Sequence, residues 1–270
     1  MIDPNLIAII LGVLIGILMS ITGAGGAILS LPLLMYFLHL GVKDAAPIAL
    51  LAVSVAAGTA AVIGLKQGVV RYKAAALLAL MGIIMAPIGV FLAQKIPSLW
   101  LQILFALVLF YVGWQAVFSA KSPRYLQDNL FPTSPTPCEL NPATSRLFWT
   151  ASCTQRLLLT GSAAGFISGL LGVGGGFVAM PSLLKISNLE HRMVVATSLT
   201  MTALVSLVGV ISYASYTSIN LHIAIPFVSA ALIGSLVGKL VSHKISAYLS
   251  KLTFGFISVS IALMMVFSLF

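Results

Sequence analysis

Taken as a string of apolar and polar positions, the chain is a succession of long apolar runs parted by short polar breaks. Eight runs stand out, at about residues 5–38, 45–65, 74–93, 99–118, 157–184, 193–215, 221–242 and 247–269. Six have the length of one membrane-crossing helix, about 20 residues. The first and fifth, of 34 and 28 residues, would as straight helices reach about 51 and 42 Å against a hydrocarbon core of ~30 Å. Those two also carry their own helix breakers, TGAGGAILSLPLL at 22–34 and GLLGVGGGFVAMPSLL at 169–184. Gly23, Gly25, Gly26 and Pro32 precede Gly172, Gly174, Gly175 and Pro181 by 149 positions each.

The same offset relates Gly16 to Gly165, Gly89 to Gly238, Phe105 to Phe254 and Lys95-Ile96-Pro97-Ser98 to Lys244-Ile245-Ser246-Ala247. The chain therefore reads as an internal duplication. Repeat 1 covers residues 1–118 and repeat 2 residues 157–270, with a polar linker, 119–156, that holds five of the twelve prolines. The linker reads as extended around its prolines, with a short helix near Thr144 to Trp149. Its cysteines, Cys138 and Cys153, have no histidine at metal-ligand spacing and read as free thiols if the linker is cytoplasmic.

Composition settles the solvent. At 60% hydrophobic and 7% charged, with a mean hydropathy of +1.13, the chain has too few polar groups to coat a soluble globule. MIDPNL carries no Lys or Arg ahead of the apolar run and reads as mature sequence rather than an export signal. The net charge of +9 sits at the ends of apolar runs and forms no basic, aromatic-rich face, which argues against nucleic acid as a partner.

Charge also chooses a topology. If every run crosses once, the 14 Lys and Arg divide evenly between the two sides. If the first and fifth runs each enter and return, only Lys43 and Lys95 stay outside and the other twelve are cytoplasmic, as the positive-inside rule favours. Each half then makes an odd number of crossings, the halves are oppositely oriented, and both termini face out. The expected fold is an all-α polytopic membrane protein of two inverted-topology repeats. Each repeat has one glycine-broken or re-entrant segment and three full spans, giving eight segments, or eight to ten helices by how the broken ones are counted.

A run that must turn back needs glycine where side chains would clash, and Pro32 and Pro181 suit the returning arms as helix-break positions. A break within the bilayer strands backbone groups, which is tolerated only where protein or a wet cavity covers them. All five acidic residues, Asp3, Asp44, Asp128, Glu139 and Glu190, fall in predicted loops or termini, so no buried carboxylate is available for a cation. The N–H groups opening the second half of a broken helix favour an anion instead. The candidate substrate-binding residues are Thr22, Gly23, Gly25, Gly26 and Ser30 in the first half, and Gly172, Gly174, Gly175, Gly176, Thr197 and Ser198 in the second; Ser168 and Thr200 are further hydroxyl donors. No cofactor or metal is expected.

GAGGAILSLPLL, GLLGVGGGFVAMPSLL and VVATSL, 194–199, resemble the duplicated glycine-rich signatures of the sulfite exporter TauE/SafE family, over nearly the whole chain outside the linker. The resemblance implies transport of sulfite, sulfonates or related sulfur-containing anions across a bacterial inner membrane. The first half departs from the second in PIAL at 47–50, where the second has ATSL, and in GAGGA against GVGGG. It is thus poorer in hydroxyls.

Plainer readings stand beside these. Gly161, Gly165 and Gly169 have small-xxx-small spacing and read as packing glycines. His39, His191, His222 and His243 lie near segment ends and read as interfacial. A dinucleotide loop lacks its strand-helix-strand unit and acidic residue, and a Ser168–His222 protease pair leaves the duplication unexplained. An anion channel or uniporter is the main alternative to a carrier. The sequence leaves the anion, the coupling ion and the oligomeric state open, with a homodimer among the options.

Overall fold

The computed structural model describes residues 3–121, 138, 150–242 and 247–267. Ten α-helices follow one another among them: α1 Pro4–Thr22, α2 Ser30–Leu38, α3 Val42–Lys66, α4 Tyr72–Lys95, α5 Ser98–Lys121, α6 Ala151–Leu171, α7 Gly176–Ile186, α8 His191–Ala214, α9 Leu221–Ser242 and α10 Ala247–Phe267. A 3-10 segment, Gly23–Leu29, joins α1 to α2. No strand occurs among the described residues, only an isolated bridge between Cys138 and Ser187.

Six helices, α1, α3, α4, α5, α8 and α9, are long and apolar enough to cross a membrane. α6 is long enough but starts six residues before the predicted run, because Thr150 caps it through its hydroxyl, which accepts the Cys153 N–H at 3.1 Å. Its first turns therefore carry Thr154, Gln155 and Arg156, which dilute its apolar character. Large apolar side chains such as Ile10, Leu107, Trp100, Ile225 and Leu240 point outward, the arrangement of a protein whose solvent is hydrocarbon.

The helices pair through small residues. α1 lies along α9, with Gly12 against Phe227 and Ala230, Gly16 against Ala231 and Ser235, and the Ser20 hydroxyl donating to the Ser235 carbonyl. α6 lies along α4, with Gly161 against Leu78, Gly165 against Gly82 and Gly169 against Ala86. In both pairs the residue numbers rise together, so the helices run parallel. The packing reading of Gly161, Gly165 and Gly169 fits these contacts, since glycine lets backbones approach where no hydrophobic force separates protein from lipid. α3 and α8, the most buried of the six spans, run antiparallel through the middle, with Leu50 on Gly209 and Gly64 on Ala196. α5 and α10 are likewise antiparallel, Gly113 meeting Ser258 and Gly255 meeting Val117.

One sequence expectation is overturned. Cys138 and Cys153 are bridged by a disulfide, with Cα atoms 5.0 Å apart. The Cys138 N–H donates to the Ile186 carbonyl at 3.0 Å, which seats Cys138 at the end of α7 beside the start of α6. Both cysteines are buried. A pairing that depends on where Cys138 docks has no signature in spacing alone. The expected helix at Thr144 to Trp149 lies outside the described residues.

Candidate functional site

The two glycine motifs build different turns. In the first half α1 passes into the 3-10 segment, where Thr22 donates to the Leu18 carbonyl at 2.7 Å and Ser30, buried at the start of α2, donates to the Ala27 carbonyl at 2.7 Å. Gly26 folds back on the preceding helix, and a Cβ there would stand 2.6 Å from the Met19 backbone. Gly23 and Gly25 lie in the 3-10 segment itself. Pro32 is the third residue of α2, where its missing N–H would have had no intrahelical acceptor in any case.

In the second half the helix stops. Gly172 caps α6 in the left-handed region at φ +70°, its N–H donating to the Ser168 carbonyl at 2.8 Å. Gly174 follows at φ +73°, a conformation that costs an L-residue roughly 1–2 kcal/mol. Gly175 is the N-cap of α7 and Gly176 its first residue. The first N–H groups of α7 thus have no acceptor within the helix. Pro181 lies further in, inside α7.

The second turn threads between the central helices. Gly172 packs on Ala46 of α3, Gly174 faces Val53 of α3 and Ser206 and Thr202 of α8, and Gly175 rests on Ala164 of α6. The 3-10 segment of the first half packs against α7, the helix that the second turn opens, and against α8.

α8 carries a line of hydroxyls toward this point. Ser198, Thr202 and Ser206 are spaced by four residues on one helix face and are all buried. Ser198 donates to the Val195 carbonyl at 3.0 Å and Thr202 to the Ser198 carbonyl at 2.8 Å. Thr197 accepts the Arg71 N–H at 3.1 Å, which places it against the α3–α4 loop, about 13 Å along α8 from Ser206. Arg71 gives one guanidinium N–H to the Met193 sulfur at 3.2 Å, while its buried Nε has no partner. The structure thus brings Gly172, Gly174, Gly175 and Gly176 together with Ser206 and Thr202, and sets Thr197 and Ser198 nearer one end of α8. Ser206, Thr202 and Arg71 were absent from the sequence-derived site. The four-residue hydroxyl spacing was the one legible signal of Thr202 and Ser206, and Arg71 had none. Among the described residues no cluster of His, Cys, Asp or Glu could hold a metal ion.

An all-helical bundle with an apolar exterior and polar groups gathered at an interior helix break is a polytopic membrane protein. The chain belongs to the sulfite exporter TauE/SafE family, whose model matches residues 8–265. It is 28% identical over 260 residues to a "probable membrane transporter protein" of Xylella fastidiosa (strain Temecula1 / ATCC 700964), covering 93% of this chain and 91% of that one. A "probable membrane transporter protein MJ0441" of Methanocaldococcus jannaschii is 27% identical over 262 residues, with 87% of each chain covered. No solved structure matches the chain. The protein is a multi-pass membrane transporter.

Proposed function

We propose that the protein is a secondary transporter that moves a small sulfur-containing oxyanion, sulfite or a sulfonate, across the bacterial inner membrane by alternating access. Its two halves are inverted repeats, and the substrate passes where their glycine turns meet, near the midplane. The observation that carries this reading is an exchange of partners. The contacts of Gly12, Gly16 and Ser20 on α1 with Phe227, Ala231 and Ser235 on α9 recur 149 positions away. There Gly161, Gly165 and Gly169 of α6 meet Leu78, Gly82 and Ala86 of α4. Such an exchange is what a two-fold axis produces, and the antiparallel self-pairing of α3 with α8 and of α5 with α10 accords with that axis lying in the membrane plane. Charge supports placing both termini outside.

The anion preference rests on what surrounds the second turn. Asp44 opens α3, its carboxylate turned back toward Gly41 at the helix N-terminus, and Glu190 precedes α8, so both carboxylates stand at helix ends. The groups offered at the turn are helix-terminal N–H groups and hydroxyls, each contributing roughly 0.5–2 kcal/mol to anion binding. Sulfur anions specifically are the family's contribution to the proposal. In proteoliposomes the purified protein is expected to show saturable sulfite uptake accelerated by sulfite on the opposite side. Uptake that stays linear with concentration and ignores the opposite side would make it a channel.

A further inference from the structure

Hydroxyls inside membrane helices normally bond a carbonyl three or four residues back. Ser162, Thr200, Thr202 and Ser212 do so here. Ser206 and Ser168 do not: each is fully buried and neither hydroxyl has a hydrogen-bond partner. Both flank the second glycine turn. Ser206 Oγ would stand 3.0 Å from a Cβ at Gly174, so it is aimed at the left-handed loop. Ser168 occupies the last turn of α6, and its carbonyl accepts the Gly172 N–H that caps the helix. A buried hydroxyl left unpaired in this way destabilises a fold, and two at one turn mark groups kept for something that comes and goes.

The equivalent positions of the first half, 149 residues earlier, are Met19 for Ser168, Val53 for Thr202 and Ala57 for Ser206. All three are buried and apolar. Val53 reaches across to the second turn, its Cγ1 standing 2.9 Å from where a Gly174 Cβ would be. The first half therefore supplies an apolar wall where the second supplies donors.

We infer that the transporter holds one anion per chain, seated in the second half alone. The Ser206 and Ser168 hydroxyls and the N–H groups opening α7 would hold it, with Val53 and Gly174 limiting its size. Ser206 is the chief specificity-determining residue. The inference rests on the anion-transporter reading above and adds to it a location and a stoichiometry. Two hydroxyl donors and no fixed cation suit a tetrahedral or pyramidal oxyanion held by several weak bonds, and exclude a seat duplicated by symmetry.

The test uses the full chain in detergent, titrated calorimetrically with sodium sulfite, sodium sulfate and sodium thiosulfate, and its flux in proteoliposomes. The parent is expected to bind at least one of these at one per chain. Ser206→Ala should weaken that binding about tenfold, and Ser206→Ala with Ser168→Ala about a hundredfold, at ~1.4 kcal/mol per tenfold. Both variants, having lost an unpaired buried hydroxyl, should melt at or above the parent's temperature when no anion is present. A purely structural serine would lower both together. Ser258, equally buried and unpartnered but lying against Gly113 between α5 and α10, is the control, and Ser258→Ala should bind as the parent does. Unchanged affinity in Ser206→Ala, or two anions per chain, would overturn the one-seat inference while leaving the transporter reading intact. A parent that binds and moves none of the three anions would overturn both.

Discussion

At the scale of single residues, glycine does two different jobs here, and only coordinates tell them apart. Gly174 needs a left-handed backbone and also faces the Val53 methyl and the Ser206 hydroxyl, whereas Gly58 in the middle of α3 has nothing within 4 Å of a Cβ. Gly174→Ala adds roughly 1–2 kcal/mol of backbone strain and a methyl group pushed into the second turn. Sulfite flux should fall at least tenfold in proteoliposomes, with normal amounts of protein in the membrane. Gly58→Ala should leave flux unchanged and raise the melting temperature slightly, since alanine is favoured over glycine in a helix by about 1 kcal/mol. Equal flux in the two variants would remove the second turn from the transport path. The sequence singled out Gly174 as a candidate site residue by its place in the repeated motif. It passed over Ser206, because a serine in an apolar run looks the same whether or not it is paired.

Among elements, the decisive contacts are between halves. α6 and α4 touch through Gly165 and Gly82 with no side chain between them. Gly165→Val would drive the two helices apart, an overpacking that typically costs 1–3 kcal/mol. The expected result is a melting temperature in detergent lower by several degrees, read by the thermal loss of helical circular dichroism, with sulfite affinity falling less than in Ser206→Ala. A melting curve like the parent's would mean that the α4–α6 contact is not a stability determinant. The small-xxx-small spacing of 161, 165 and 169 was readable as a packing face. Its partner was not, because a helix face recorded in sequence does not say which of nine other helices it meets.

For the whole molecule the open matter is orientation, and two kinds of chemistry disagree on it. The division of Lys and Arg puts the linker side in the cytoplasm, whereas the Cys138–Cys153 bridge is a feature of oxidising compartments. The charge asymmetry runs through the whole chain and acts during insertion, so it sets the expected orientation; the bridge, with both cysteines buried, is shielded from the reductants of that compartment. Both cysteines should therefore escape a permeant maleimide in whole cells and react only after denaturation with a reductant. In a background lacking them, Gly68→Cys in the α3–α4 loop should resist an impermeant maleimide added to intact cells, and Ser218→Cys in the α8–α9 loop should react. The reverse pattern at 68 and 218 would turn the molecule over.

The sequence by itself determined the solvent, six of the spans and the family, because each is recorded locally: apolar length, and glycines and prolines that a straight helix does not need, recurring at a fixed offset of 149 positions. It also marked where the chain turns. Tertiary structure alone decided that equivalent glycines take different forms, a 3-10 segment at Gly23–Leu29 and a left-handed turn at Gly172–Gly174. It alone paired α1 with α9 and α4 with α6, returned Cys138 to Cys153, and left Ser168 and Ser206 without partners. Hydrogen-bond satisfaction and helix pairing depend on residues far apart in the chain, and no local pattern records the distance between them.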